Sequence, residues 1–475
     1  MSQLTRLSAA EMAEQVRRRQ VSPVELVEAH LARIERLNPR LNAFISLDAE
    51  HAVATARQAE GAVMRGDELA PLHGVPVSIK SSIEVAGLSY EVGSKLRAGC
   101  KGSEDACLVK RLKAAGAIVL GTTNTPEMLM AWETDNLLYG RTNNPWDLAR
   151  TPGGSSGGEA AAIACGCSAA GVGSDGGGSI RVPAHFSGIC GLKPTPGRIS
   201  IAGHFPPSGG PFTQMGVVGP MARTVADLQL MFEAMAGADP ADPASAPVPL
   251  RPVPASEARK LRVGFFEDDG DTPVTPATRA AVRAAAETLE RQGFEVSSFR
   301  PQGLEKARQL WWTLFGRAGG LLLGPMLAGH ESELSPILTE FRGWVAAEPP
   351  LTDGELLQAW LERDQVRAHL LAQMHRFPIL LCPVSAVPAF HHRERQWTVD
   401  GTMVRYLDAM RYSAWFNLLG FPGAVVPVGR SPEGLPVGVQ IVGRAWEEES
   451  VLAVAAAVER EYGFKEPPME WARAQ

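Results

Sequence analysis

The hydrophobic and polar positions divide the chain into a helical beginning and a longer part in which short apolar runs alternate with helices. Residues 1–66 have a helical pattern, and two capping boxes mark helix starts within it. The first joins Ser8 to Glu11, and the second joins Ser22 to Glu25 with Pro23 at the first helical position. We therefore predict an N-terminal helical layer over about residues 1–66.

From about residue 74 the pattern predicts strands that are covered by helices. Helices are predicted over 104–115 and from Thr275 to Gly293. The predicted strands are 75–79, 117–120, 262–266, 294–299, 379–382, 424–428 and 437–442. Residues 239–254 are rich in Pro and Ala and lack periodicity, which indicates a surface connection or a domain boundary. Strand-like runs continue on both sides and no repeat is visible, so we favour one domain over residues 1–475.

Charge and hydropathy exclude several classes of protein. The 475 residues include 46 basic and 52 acidic ones, for a net charge of -6, and these are scattered without long blocks. We therefore expect no nucleic-acid partner. The N-terminus lacks the apolar core of a signal peptide, and the apolar stretches are short and broken by Pro. We expect a soluble, cytoplasmic protein without an integral membrane segment.

The 6 cysteines are sparse for a chain of this length, which argues against a disulfide framework. The close pair, Cys165 and Cys167, lies in an Ala/Gly-rich run that has no neighbouring His. We interpret these two residues as buried small apolar side chains rather than metal ligands.

Glycine and serine are concentrated in two clusters, TPGGSSGG at 151–158 and GSDGGGSIR at 173–181. Each cluster taken alone is typical of a turn. The first contains Gly153-x-Ser155-x-Gly157, the pattern of an α/β-hydrolase nucleophile elbow, but residues 143–150 have a loop composition where that elbow needs a strand. No Gly-x-x-x-x-Gly-Lys-Ser/Thr string occurs, so a nucleotide-binding P-loop is excluded.

The second cluster predicts a different kind of site. Residues 176–178 lack Cβ atoms, so their backbone N–H groups can face inward as an anion-binding nest beside the hydroxyl of Ser179. A serine nucleophile needs a base, and the upstream Lys80 ends the apolar run 74–79. If that run is a buried strand, desolvation lowers the pKa of Lys80 and favours a neutral amine that accepts a proton. The alternative is a surface lysine that caps the strand.

Several blocks taken together resemble the amidase signature family of serine hydrolases. They are GVPVSIK at 74–80, TNTPE at 123–127, GRTNNP at 140–145, GGSSGG at 153–158, SDGGGSIR at 174–181, GLKPT at 191–195, FPG at 421–423 and GLPVGVQIVG at 434–443. Their number, order and spacing exclude a chance match. The resemblance spans nearly the whole chain and is weakest between about 240 and 375.

The resemblance implies a single α/β/α domain around a large mixed twisted β-sheet, with a signature core at about 74–200 and a variable, substrate-side region at about 240–375. It also implies a Ser-cisSer-Lys triad of Ser179, Ser155 and Lys80. In that triad the neutral lysine takes a proton from the middle serine, which takes one from the attacking serine, and the peptide bond before Ser155 is expected to be cis. The implied oxyanion donors are the backbone N–H groups of Gly176, Gly177, Gly178 and Ser179.

Other positions match residues that assist catalysis in the family. The residues expected to support the triad by hydrogen bonding are Ser156, Asp175 and Arg181. Leu129 falls where family members place a residue against the substrate. The chain departs from the family at Gly176, where many members carry Ile or Thr, and at Ser81 and Ser82, where many carry Asp-Asn. We expect the first departure to loosen the oxyanion loop, and both to bear on specificity rather than on reaction class.

The implied activity is hydrolysis of a carboxylic acid amide to an acid plus an amine or ammonia, with no metal and no organic cofactor. Strings 133–136 and 183–186 resemble general acylamidases and fatty acid amide hydrolase 2-like enzymes, which predicts aryl or fatty acyl amides as substrates. Two alternatives stay open: the glutaminase subunit of a tRNA-dependent amidotransferase, and a catalytically silent binding module. The expected partner is a small-molecule amide, and we expect a monomer or a homodimer.

An apolar stretch in the variable region has partly helical spacing. It comprises LWWTLF at 310–315 and LLL at 321–323. Such spacing is typical of core packing. The alternative is an apolar acyl or aryl pocket, or a lid over it, in which Trp312 contacts the substrate.

Overall fold

An 11-stranded mixed β-sheet runs through the centre of the computed structural model, which describes residues 3–207 and 209–472. The strands are β1 (Phe44–Leu47), β2 (Pro76–Lys80), β3 (Ile118–Thr123), β4 (Ala170–Asp175), β5 (Cys190–Lys193), β6 (Val217–Ala222), β7 (Val263–Phe265), β8 (Val296–Ser298), β9 (Ile379–Pro383), β10 (Gln396–Val399), β11 (Thr402–Arg405), β12 (Gly423–Arg430) and β13 (Pro436–Gly443). Strands β10 and β11 form a separate hairpin.

The order of strands in the large sheet is β1-β3-β2-β4-β6-β5-β12-β13-β9-β7-β8. Strand β2 runs parallel to β3 and β4, and β7 runs parallel to β8 and β9. The remaining neighbours in the sheet are antiparallel. The parallel strands β2 and β4 therefore end at the same edge of the sheet, and this edge carries the Gly/Ser clusters.

Helices pack on both faces of the sheet. They are α1 (Ala9–Arg17), α2 (Pro23–Leu41), α3 (Ala49–Arg65), α4 (Cys107–Ala114), α5 (Gly157–Ala164), α6 (Arg181–Ser187), α7 (Val225–Met235), α8 (Ala255–Ala258), α9 (Pro276–Arg291), α10 (Ala307–Trp311), α11 (Ala318–Leu327), α12 (Pro336–Ala346), α13 (Asp353–Met374), α14 (Tyr406–Ala409), α15 (Arg411–Leu418) and α16 (Glu448–Tyr462). A π-helix, Trp312–Arg317, joins α10 to α11. Short 3-10 turns lie at Gln3–Arg6, Lys95–Arg97, Glu127–Leu129, Gly210–Gln214, Glu331–Glu333 and Glu470–Ala472.

The alternation of side chains along the strands divides the interior into two main cores. Val77 and Ile79 of β2 pack into one core with helices α1, α4, α7, α9 and α16. Ser78 and Lys80 lie at the intervening positions, so they face the opposite side of the sheet. The core on that side contains α6, α13, α15 and the apolar stretch that begins at Leu310. The period of two thus directs Lys80 away from the first core.

The predicted single-domain α/β fold around a large mixed sheet is confirmed. The two capping boxes form as predicted at Ser8 and Ser22. All seven predicted strands are present, with ends that shift by up to three residues. The N-terminal layer differs from the prediction, since strand β1 interrupts its helices and pairs with β3. No helix in the described part of the chain is long and apolar enough to cross a membrane.

Candidate active site

Lys80 is the last residue of β2, and its side chain is fully buried. Its Nζ atom lies 2.7 Å from Ser155 Oγ, 3.0 Å from Ser156 Oγ and 2.9 Å from Ser174 Oγ. These three hydroxyls come from the two Gly/Ser clusters. The interpretation of Lys80 as a surface lysine is therefore wrong, because the amine lies inside the protein among serine hydroxyls.

Burial lowers the pKa of Lys80 from its ordinary value to about 7, although the negative charges of Asp175 and Glu159 oppose this shift. Desolvation disfavours the ammonium form, and this effect of burial is the largest of the three. A large fraction of Lys80 is therefore neutral near pH 7. A neutral amine can accept a proton from a neighbouring hydroxyl, which is what the sequence analysis expects of this lysine.

Ser155 and Ser156 stand at the entry to helix α5, which begins at Gly157. The Gly154–Ser155 peptide bond is cis, as expected from the family resemblance. Residues 151–155 form no strand, so the context of an α/β-hydrolase elbow is lacking. The backbone N–H of Ser174 donates to Ser156 Oγ over 3.3 Å. Ser156 thus ties the first cluster to β4 and to Lys80.

Ser179 lies in the loop that follows β4, and the carboxylate of Asp175 organises this loop. Asp175 accepts the backbone N–H groups of Gly178 at 2.6 Å and of Ile180 at 3.0 Å. The N–H of Gly178 therefore has an acceptor already, which differs from its expected role as an oxyanion donor. The N–H groups of Gly176, Gly177 and Ser179 have no acceptor among the described residues.

A fully buried ion pair between Arg181 and Asp175 holds this loop in place. Arg181 Nε lies 3.1 Å from Asp175 Oδ2, and both side chains are excluded from solvent. Arg181 also donates to Gln440 and Asn417, and the Asn417 amide donates to the backbone carbonyl of Asp175 over 2.9 Å. Burial alone would raise the pKa of Asp175, but the guanidinium of Arg181 outweighs it and holds that pKa well below its usual range. Asp175 therefore stays ionised.

A cavity of about 650 Å³ opens onto the serines. Ser155, Ser174 and Ser179 are among the residues that line it. Leu129 lines it as well, at the position where a substrate contact was expected. Its apolar walls are contributed largely by Met128, Met130, Ile201, Phe212, Leu314, Phe315, Leu321, Leu322, Leu323, Met326, Leu356 and Trp360. The cavity therefore suits a large apolar group.

Trp312 lies elsewhere than expected. Its ring packs against Phe341 with centroids 5.5 Å apart, and its indole N–H donates to Glu348. It is not among the residues that line the cavity, so the expected substrate contact at this position is not found. Leu314 and Phe315 face the cavity instead, because the helical repeat turns adjacent side chains to different faces.

Gly176 is packed rather than loosened, contrary to the sequence expectation. A Cβ atom at this position would lie 2.6 Å from Cε2 of Phe315, which is closer than real contacts allow. The phenyl ring thus occupies the space into which a side chain at position 176 would project. Phe315 itself stacks on Trp311, with centroids 5.1 Å apart and an interplanar angle of 14°.

A second, small cavity of about 30 Å³ lies beside Ser179 and Gly177. Its remaining walls are mostly aromatic, formed by Trp132, Trp311, Phe315, Phe341, Trp344 and Tyr406. Ser179 therefore stands between a large apolar cavity and a small aromatic one.

Sequence reasoning did not single out Ser174, Asn417 or Gln440. Ser174 could have been found, because it lies inside the SDGGGSIR block and next to Asp175. Asn417 and Gln440 come from α15 and β13, and nothing in their local sequence marks them. Cys165 and Cys167 are buried, as predicted for small apolar residues.

Comparison with known proteins places these features in a family. Residues 25–452 match the family model described as Amidase. The chain is 35% identical to the indoleacetamide hydrolase of Bradyrhizobium diazoefficiens over 96% of this chain and 86% of that protein. It is also 35% identical to one subunit of the glutamyl-tRNA(Gln) amidotransferase of Roseiflexus castenholzii, over 97% of this chain and 96% of that protein.

Among solved structures, a bacterial aryl acylamidase of the amidase signature family superposes with a TM-score of 0.88 at 27% identity, over 100% of both chains. The family model spans most of the chain, and the relatives match over nearly their whole length. The protein is thus an amidase, and it belongs to the amidase signature family.

Proposed function

We propose that this amidase cleaves carboxamides that carry an apolar aryl or fatty acyl group, through an acyl-enzyme on Ser179. Two observations together carry the proposal: Lys80 is buried 2.7 Å from Ser155 Oγ, and Ser155 and Ser179 both line a large apolar cavity. Activation of a serine by a neighbouring base is the usual requirement for nucleophilic catalysis by this residue.

In the proposed reaction the neutral Lys80 takes a proton from Ser155 as Ser155 takes one from Ser179. The Ser179 Oγ atom forms a bond to the amide carbon, and the carbonyl oxygen becomes an oxyanion. The N–H groups of Gly176, Gly177 and Ser179 stabilise that charge, since they have no acceptor of their own among the described residues. The proton then returns through Ser155 to the leaving nitrogen as the C–N bond breaks, and water hydrolyses the ester.

The apolar substrate class follows from the lining of the cavity. The ionisable groups among its described lining residues are Asp175 and His204. Asp175 is paired with Arg181, and burial lowers the pKa of His204 to about 4, so this ring is neutral at pH 7. The indoleacetamide hydrolase and the aryl acylamidase among the relatives carry aryl substrates in their names, which agrees with an aryl or acyl group here. Leu314, Phe315 and Met326 also support a substrate-side role for residues 240–375.

The alternative is a glutaminase subunit, and the similarity to one component of the amidotransferase favours it. Glutamine carries an ammonium and a carboxylate, and both would lose hydration in an apolar cavity. The described lining offers no Arg or Lys to pair with the carboxylate. We therefore favour the apolar amides. The contact between Lys80 and Ser155 argues in turn against a silent binding module.

Initial rates on p-nitroanilides from acetyl to dodecanoyl, with indoleacetamide, other primary amides and glutamine beside them, test the proposal. We expect rates that rise with the size of the apolar group and that vanish in Ser179→Ala. Activity on glutamine alone would contradict the substrate class and favour the amidotransferase role. Amide hydrolysis that persists in Ser179→Ala would contradict the nucleophile.

A further inference from the structure

Two tryptophans hold successive carbonyl groups of the loop before Ser179. The indole N–H of Trp311 donates to the carbonyl of Gly176 over 2.9 Å, and that of Trp132 donates to the carbonyl of Gly177 over 2.9 Å. The two tryptophans come from distant segments, and their rings lie 5.7 Å apart between centroids. Both are buried, so these hydrogen bonds have little competition from water.

A held carbonyl also fixes an N–H group. The peptide bonds of this loop are trans, since the cis bonds of the described chain lie elsewhere. In a trans peptide the C=O and the following N–H point in opposite directions within one plane. Trp311 therefore directs the N–H of Gly177 away from the two indoles, and Trp132 does the same for the N–H of Gly178. Asp175 receives the second of these groups, which leaves the N–H of Gly177 for a ligand.

The close approach of the rings depends on the missing side chains. A Cβ atom at Gly177 would lie 2.4 Å from Cζ2 of Trp311, and one at Gly176 would lie 2.6 Å from the ring of Phe315. Trp311 ends α10, and Phe315 lies in the π-helix that follows. A π-helical turn is found frequently at functional sites. Here it brings both rings of the stacked pair onto the glycine loop.

We propose that Trp311 and Trp132 are positioning residues for the oxyanion hole: Trp311 holds the carbonyl of Gly176 so that the N–H of Gly177 faces the developing negative charge before the substrate arrives, and Trp132 holds the next peptide so that the N–H of Gly178 stays on Asp175. The inference rests on the proposed acyl-enzyme mechanism and names the groups that keep its donors fixed. Preorganised donors stabilise a transition state because no reorganisation is needed as the charge forms.

The test is Trp311→Phe, which keeps an aromatic ring but removes the N–H donor. Trp146→Phe is the matched control, because the Trp146 indole donates to the carbonyl of Ser187 over the same 2.9 Å, away from the loop. Three quantities are measured on each protein: kcat and KM on one anilide, the rate at which a fluorophosphonate labels Ser179, and the pH at which kcat/KM rises. Labelling uses the same donors without needing amide turnover.

For Trp311→Phe we expect kcat and the labelling rate to fall about tenfold or more, since loss of one oxyanion donor costs about 100-fold to 1000-fold in kcat. KM should stay within about twofold and the pH limb should not move, because Lys80 is untouched. Trp146→Phe should match the wild type. If Trp311→Phe fails to fold, Trp311→Tyr, which also removes the indole N–H, takes its place.

An unchanged kcat and labelling rate, a loss confined to KM, or an equal loss in Trp146→Phe would overturn the positioning role. The outcome for the proposed function is separate. A wild type that labels at Ser179 but hydrolyses no amide would refute the proposed function, and the ratio of labelling rates would still decide the role of Trp311. A wild type inert to both reagents would overturn both.

Discussion

The buried position of Lys80 predicts that amide hydrolysis switches on near neutral pH. Only the neutral amine can accept a proton from Ser155, and burial lowers the pKa of Lys80 to about 7. At pH 7 about half of the molecules then carry a neutral Lys80, whereas the ordinary pKa of 10.5 would leave roughly one in three thousand neutral. The burial of this one amine therefore raises the active fraction about a thousandfold at pH 7.

The assay is kcat/KM on one anilide from pH 5 to pH 9.5, since kcat/KM reports the ionisation of the free enzyme. We expect a rise with pH that levels off above an apparent pKa of about 7. The labelling of Ser179 by a fluorophosphonate should follow the same curve. Lys80→Met, which has no proton acceptor, should lose about 100-fold to 10000-fold in kcat/KM on the plateau above pH 8 and should show no rise near pH 7.

Glu159 needs a control of its own, because burial also raises its pKa to about 7. Its negative charge raises the pKa of Lys80, so Glu159→Gln should move the rising limb to lower pH without abolishing it. A rise of kcat/KM centred near pH 10 in the wild type would refute the prediction that the buried Lys80 is largely neutral near pH 7. A limb that disappears in Glu159→Gln would assign the titration to the carboxylate instead.

Two further predictions concern the glycine loop before Ser179 and the ion pair between Arg181 and Asp175. Gly176→Thr should lower the free energy of unfolding in urea by about 1–3 kcal/mol through the clash with the Phe315 ring. The same substitution should cost less when it is made in Phe315→Ala, and an equal cost in both backgrounds would contradict the clash. Arg181→Met should cost about 3–5 kcal/mol at pH 7 because it leaves the Asp175 carboxylate buried without its cation. Because the pKa of Asp175 is depressed in the folded wild type, the ion pair stabilises that protein at any pH above the ordinary carboxylate pKa. In the variant, Asp175 lacks the Arg181 cation, and its buried negative charge is removed only when the carboxylate takes up a proton. The deficit should therefore shrink as the pH falls toward 4.5, and a deficit that grows on acidification would refute this account.

The sequence pattern was sufficient for the elements whose residues favour one structure locally. The residues of β2 belong to a mostly apolar run, and the starts of α1 and α2 carry complete capping boxes, so these elements were predicted. Strand β4, with the sequence AGVGSD, was missed because glycine weakens any strand signal. Its extended form comes from pairing with β2 on one side and β6 on the other, and such pairing is not visible in a local pattern.

In the candidate site, too, some residues could be predicted from the local sequence and others needed the fold. Lys80, Ser155 and Ser179 could be singled out because the family blocks contain them, and the structure brings the first two within hydrogen-bonding distance. The contacts of Trp132 and Trp311 with the loop join segments that are far apart in the sequence, so they needed the fold. Trp312 could not be placed from the periodicity of its segment. With partly helical spacing, a shift of one position along the helix turns a ring from the cavity to the core, and the ring of Trp312 faces the core.

The proposed catalytic groups and much of the apolar wall of the cavity come from separate stretches of the chain, which has a consequence for how such enzymes diversify. Lys80, Ser155 and Ser179 lie before residue 200, while much of the wall comes from residues 314–360. Recombination that exchanges the later stretch would give a new substrate range without rebuilding the chemistry. One contact that restricts the exchange joins Gly176 to Phe315. A donor segment with a smaller residue at position 315 would leave a void over the loop, so positions 176 and 315 should be inherited or redesigned as a pair.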